Sequence, residues 1–97
     1  MMPVKKIEII VDALELPTVL KLLDAAGVSG YTVIRHATGK GERGNRDGGE
    51  LSGTFINSYV MTACPPEQVP SVVESIRPIL KRYGGICLVS DAEWLIH

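Results

Sequence analysis

Leu16-Pro17-Thr18-Val19-Leu20 and Val69-Pro70-Ser71-Val72-Val73 are one pattern written twice. In each, proline falls where a helix begins, and its missing N–H needs no partner in a first helical turn. Each is followed by a helix-length run, then a glycine turn, then an apolar strand: Gly30-Tyr31-Thr32-Val33 in the first copy and Gly85-Ile86-Cys87-Leu88 in the second. Each is also preceded by a strand. Lys5–Val11 (KKIEIIV) is rich in β-branched residues. Thr54–Ala63 (TFINSYVMTA) alternates, with Phe55, Asn57, Tyr59 and Met61 on one face and Ile56, Ser58, Val60 and Thr62 on the other. The chain is therefore two strand–helix–strand halves in the order βαββαβ. Two such halves sharing one antiparallel sheet make an α+β, ferredoxin-like sandwich.

The remaining elements follow from periodicity. Leu14–Ala26 carries Leu16, Val19, Leu20, Leu23 and Ala26 at helical spacing, and Gly27 and Gly30 stop the helix. Tyr31–Arg35 (YTVIR) is the second strand. Pro66–Arg82 is the second helix, with Val69, Val72, Val73, Ile76 and Leu80 facing inward. Pro78 sits late in it and should kink it; Lys81 and Arg82 suit its C-terminus. Ile86–Ser90 is the fourth strand. Asp91–His97 (DAEWLIH) reads as a short tail, with Trp94 and Leu95 packing back on the body. Both helices should cover one sheet face. The other face is left bare although all four strands give it apolar residues, which predicts self-association or a partner.

Length and composition narrow the choices. Ninety-seven residues fit one domain. A net charge of −1 argues against a broad nucleic-acid footprint. Cys64 and Cys87 have neither zinc nor redox spacing and read as buried, reduced thiols. Met1–Val11 mixes charge into its apolar residues, unlike a signal peptide, and no run reaches the roughly 18–20 apolar residues of a membrane span. The expected location is the cytoplasm.

Between the halves the character changes. Thr38–Gly53 (TGKGERGNRDGGELSG) holds six of the ten glycines and hardly an apolar residue, so it is a loop. Loops of about 15 residues inside a small domain are mostly functional or disordered. Gly39-Lys40-Gly41-Glu42-Arg43 is not a Walker A motif, because Ile34 stands where the first glycine belongs and Gly41 where Ser or Thr belongs. The logic of phosphate binding is still present. Glycines let backbone N–H groups wrap an anion, Lys40 and Arg43 add charge, Arg43 can bind bidentately, and Arg46 is a third cation. A solvated loop with idle charges would look the same.

Tyr83-Gly84-Gly85-Ile86 is a second glycine turn, which on its own is an ordinary helix C-cap. In a ferredoxin-like sheet the second and fourth strands lie at opposite edges. One ligand could touch both glycine turns only across a boundary between copies. No set of residues assembles a nucleophile, base and oxyanion site. His36 and His97 have no metal-ligand neighbours, the serines lack an elbow context, and Glu8, Asp12, Glu15, Glu42, Asp47 and Glu50 are scattered. The expectation is a binding protein without catalytic residues, metal or resident cofactor.

Val4-Lys5-Lys6-Ile7, Gly27-Val28-Ser29-Gly30-Tyr31-Thr32-Val33 and Gly39-Lys40-Gly41 together resemble the PII-type signalling family over nearly the whole chain, as one domain of residues 1–97. The resemblance implies a homotrimer with adenine nucleotides in three clefts between subunits, and a long T-loop at about residues 38–53. By position, Thr32, Gly39, Lys40, Gly41 and Arg43 would line one wall, Ile10 and the backbone at Ala63 would approach the base, and Tyr83, Gly84, Gly85 and Ile86 would form the B-loop at the phosphates.

Three departures matter. The loop has no tyrosine, so the uridylylation of nitrogen-control members should be absent. Ile86 stands where the family carries a lysine, and the chain ends at His97, near the family's phosphate-binding arginines; ADP or AMP is therefore expected over ATP. Glu42 follows Gly41 where the 2-oxoglutarate site would need a glutamine. These departures resemble the carboxysome-associated, inorganic-carbon branch, which implies bicarbonate as a further ligand, with Arg43 or Arg46 as its cations. That branch also implies a bicarbonate transporter or carboxysome-related partner, and through it association with the carboxysome or inner membrane. Two other readings of the residues stay open: an amino-acid-binding regulatory domain of the same fold, and a weak nucleotide hydrolase using Glu42 or Glu50.

Overall fold

The computed structural model describes residues 1–39 and 56–96. Strand β1 spans Met2–Asp12, helix α1 Leu16–Ala25, β2 Thr32–Ala37, β3 Asn57–Cys64, helix α2 Val69–Tyr83 and β4 Ile86–Trp94. A 3₁₀ turn precedes each helix, at Ala13–Glu15 and Pro66–Gln68. The repeat therefore begins one step earlier than the prolines suggest: Pro17 and Pro70 open the α-helices proper, after a tighter turn has reversed the chain. At the first of these turns the Asp12 carboxylate accepts the Leu14 N–H at 2.9 Å, capping it.

The sheet order is β2-β3-β1-β4, with every neighbouring pair antiparallel. This is the ferredoxin-like arrangement, with β2 and β4 at the edges. Alternation along β1 and β3 sends Ile7, Ile9 and Val11, with Ser58, Val60, Thr62 and Cys64, to one face. There they meet Leu16, Val19 and Leu23 of α1 and Val72 and Ile76 of α2. Burial of these aliphatic side chains, each stabilising by about 1.5–3 kcal/mol, holds the fold together. Val69 and Leu80 pack at the margin of this core. The two helix ends are tied by the Gln68 side-chain amide, which donates to the Ala26 carbonyl at 3.0 Å.

Several expectations are corrected. Asp91–Trp94 is not a tail but the second half of β4, paired with β1 from Lys5↔Asp91 to Met2↔Trp94. Trp94 does not pack back; it is 49% exposed and Leu95 67%. The strand persists because β1 is itself longer than expected and offers a ladder as far as Met2. Cys64 is buried, but Cys87 near the sheet edge is only half-buried; both are free thiols. Pro78 lies inside α2 on its exposed side, so the Glu74 carbonyl it leaves without an i+4 donor is on the side open to water. Residues 54 and 55 of the expected third strand lie outside the described residues.

Candidate functional site

The turn after α2 is dictated by close packing. Gly84 has φ 84° and its N–H donates to the Leu80 carbonyl at 2.8 Å, closing the helix. Gly85 has φ 124°, and a Cβ there would stand 2.6 Å from the Ile10 carbonyl oxygen and 3.0 Å from Leu80 Cδ2. Only glycine fits, because the turn is pressed onto the end of β1, where Ile86 pairs with Ile10. Tyr83 and Ile86 are exposed on either side of the two glycines. The Arg82 guanidinium lies 5.3 Å from the centre of the Tyr83 ring, a cation–π distance. Arg82 thus places a cation at the rim of this turn, beyond the helix C-terminal role that its position in the sequence suggests.

The other glycine segment is built differently. The buried Thr62 hydroxyl donates to the Gly30 carbonyl at 2.6 Å and so anchors the turn that enters β2. Thr32, the first residue of β2, pairs with Met61. At the far end the ladder slips: Ile34 pairs with Tyr59, but Ala37 pairs with Asn57. One extra residue is thus accommodated on β2, and His36 takes φ 62° to do so. Such a bulge bends an edge strand and re-aims the chain beyond it. Gly39 follows directly, and a Cβ there would meet nothing within 4 Å. Unlike Gly85, it is not a glycine required by the described fold. The slip at His36 has no signature in Tyr31–Arg35.

The register places Ile10, Thr32, Ala63 and Ile86 on the sheet face that the helices leave bare. Across the strands this face shows the row Ile34, Tyr59, Ile10, Ile86, and beneath it Thr32, Met61, Glu8, Leu88. Ile34, Ile86 and Leu88 are each about half exposed, at 55%, 46% and 55%. Thr32 and Gly39 belong to the β2 edge and Tyr83–Ile86 to the β4 edge. Three strand spacings, about 14 Å, separate the edges. Within one chain Gly39 and Tyr83–Ile86 thus stand at opposite edges of the sheet. Lys40, Gly41, Arg43 and Arg46, with Glu42, Asp47 and Glu50, lie outside the described residues.

The polar chemistry of the bare face centres on Glu8, whose carboxylate accepts from the Tyr59 hydroxyl at 2.6 Å and faces the Lys6 ammonium at 3.7 Å. That hydrogen bond raises the Tyr59 pKa above its ordinary value, with desolvation and the Glu8 charge adding to it. Burial raises the Cys64 and Cys87 pKa values, with the Glu67 charge assisting at Cys64. These thiols are held protonated, as core residues rather than nucleophiles. Among the described residues no three of His, Cys, Asp and Glu converge as a metal site, and no helix is long and apolar enough to cross a membrane.

Residues 4–95 match the family model described as nitrogen regulatory protein P-II. No curated protein sequence matches the chain. Among solved structures, CPII, a nitrogen regulatory PII-like protein from Thiomonas intermedia K12, bound to ADP, AMP and bicarbonate, is 30% identical over 95% of this chain and 88% of its own, with a TM-score of 0.81. The same protein bound to ADP, AMP and acetate matches 98% of this chain and 91% of its own at 30% identity, with a TM-score of 0.84. A PII-like signalling protein from Thermus thermophilus shares the fold at 22% identity, over 94% of this chain and 88% of its own, with a TM-score of 0.75.

Proposed function

The chain belongs to the nitrogen regulatory protein P-II family, and from that premise we propose that it is a non-enzymatic regulator that binds ADP or AMP in clefts between the copies of a homotrimer. The observation that carries this reading is the likeness to CPII, 30% identical over 95% of the chain and bound to ADP, AMP and bicarbonate. The geometry supports it independently. Gly39 and Tyr83–Ile86 adjoin opposite sheet edges, and the bare apolar face between those edges is suited to another copy.

In this reading Gly39, Lys40, Gly41 and Arg43 of one copy hold phosphate oxygens, with Thr32 beside them. Tyr83–Ile86 of the next copy closes the cleft, and Ile10 and the Ala63 backbone approach the base. Ile86 supplies no cation, so ADP or AMP binds in preference to ATP. Bicarbonate binds beside the nucleotide through loop N–H groups with Arg43 or Arg46. Ligand contacts then change the ordering of Thr38–Gly53 and the surface offered to a partner. The process served is inorganic-carbon metabolism, with a bicarbonate transporter or carboxysome-related protein as the partner and the cytoplasm as the compartment.

Calorimetric titration with ADP and AMP, with and without bicarbonate, tests this. Saturable binding is expected, weakened about tenfold or more by Lys40→Ala with Arg43→Ala, since charge-assisted phosphate contacts contribute about 1.5–3 kcal/mol each. Heatless titrations of the wild type, or binding indifferent to both substitutions, contradict it.

A further inference from the structure

We propose that Lys6, Glu8 and Tyr59 form a polar plug that each copy carries, already satisfied, into the face it shares with its neighbours, and that this plug decides whether the copies assemble. The inference rests on the reading that the bare sheet face is covered by other copies of this chain.

Glu8 stands on β1, an inner strand, so a copy lying on the face cannot leave it at the margin. Apart from Lys6 and Tyr59, its neighbours on the bare face are apolar: Met61 directly across on β3, Leu88 directly across on β4, and Ile10 two residues along β1. A carboxylate in such surroundings opposes association, because covering it removes water that nothing apolar replaces. Here Oε2 already has a hydrogen-bond donor and Oε1 a cation facing it, both from the same chain. Oε2 accepts from the Tyr59 hydroxyl at 2.6 Å, across the diagonal between β3 and β1. Oε1 faces Lys6 Nζ at 3.7 Å. A neighbouring copy can therefore seat apolar side chains against this face without supplying a donor.

In the separate copy these contacts matter little. Lys6 is 42% and Glu8 25% exposed at the side chain, so water can replace either partner. The same contacts gain weight only when the face is covered. Removing Tyr59's hydroxyl then leaves one carboxylate oxygen buried and unpaired. Removing all three polar groups, Lys6 included, leaves an apolar patch that still packs. A merely structural role within one copy would not give this asymmetry.

The test is sedimentation velocity over a wide concentration range on the wild type, Tyr59→Phe, Glu8→Gln, and Glu8→Leu combined with Tyr59→Phe and Lys6→Met, with thermal unfolding followed in parallel. The wild type is expected to assemble. Tyr59→Phe should raise the concentration of half-dissociation by at least about tenfold, and Glu8→Gln should raise it less, because the amide keeps an acceptor for Tyr59. The triple variant should return towards wild type, with unfolding of the separated copies nearly unchanged throughout. Assembly of Tyr59→Phe equal to wild type, or a triple variant no better than Tyr59→Phe alone, overturns the plug and leaves the nucleotide reading standing. A wild type that stays monomeric at every concentration, with and without ADP, overturns both.

Discussion

Gly39 and Gly85 are the same residue type with opposite physical situations, and the difference decides what each tells about function. A Cβ at Gly85 would overlap the Ile10 carbonyl oxygen at 2.6 Å, on a backbone that side chains rarely adopt. Gly85→Ala should therefore destabilise the chain by about 3 kcal/mol or more, seen as a lower urea midpoint. Gly39→Ala meets open space and should change stability by no more than about 0.5 kcal/mol. Any loss of ADP affinity in Gly39→Ala is then a ligand effect, whereas the same loss in Gly85→Ala would be confounded with folding. Titration at this scale has a defined sign. Cys64, Cys87 and Tyr59 all have pKa values raised in the folded chain. Each keeps its proton longer in the folded state than in the unfolded one. Their contribution is complete below the unfolded values and is lost as pH rises through the folded ones. Stability should thus hold near neutral pH and fall from about pH 9 upward, where free thiols begin to ionise; a flat alkaline profile in urea titrations would contradict this.

Among the elements, what was legible is what local chemistry determines. Pro17 and Pro70 mark their helices because a first turn tolerates a missing N–H, and the alternation of Tyr59, Val60, Met61 and Thr62 fixes which face of β3 is buried. What was not legible depends on a distant partner. Asp91-Ala92-Glu93-Trp94 looks like part of a short tail because two of its four residues are acidic and no β-branched run continues from Ile86–Ser90. It becomes strand only because Met2–Lys5 lies alongside it, nearly a whole chain away in sequence. Lys5 also pairs with Asp91 directly. Amide exchange distinguishes the two descriptions. The Asp91–Trp94 amides directed at β1 should exchange at rates comparable to those of Leu88–Ser90, while tail-like rates would contradict the extended strand. The bulge at His36 was illegible for a related reason. It is a mismatch in count between β2 and β3, and neither strand alone contains it. Its place, three residues before Gly39, puts a bend in the chain at the threshold of the segment proposed to bind phosphate.

At the scale of the whole molecule, the sheet order separates two glycine turns that look alike in the sequence. Thr32 and Gly39 stand on one edge, Tyr83–Ile86 on the other, and the face between them is apolar around a satisfied Glu8. A nucleotide that needs both edges needs two copies, and the bare face gives the copies a reason to meet. The most direct measurement is complementation between two variants, each first shown by sedimentation to assemble. One carries Lys40→Ala with Arg43→Ala and so lacks the cations proposed for the wall that follows β2. The other carries Ile86→Glu, at the exposed start of β4, and so turns the opposite wall against phosphate. Each alone should fail to bind ADP at concentrations that saturate the wild type. Mixed equally and allowed to exchange copies, they should regain binding of wild-type affinity at about one quarter of the clefts, the share in which random mixing pairs two intact walls. A mixture that binds no more ADP than its separate components would place both walls of the site within a single copy and contradict the inter-copy cleft.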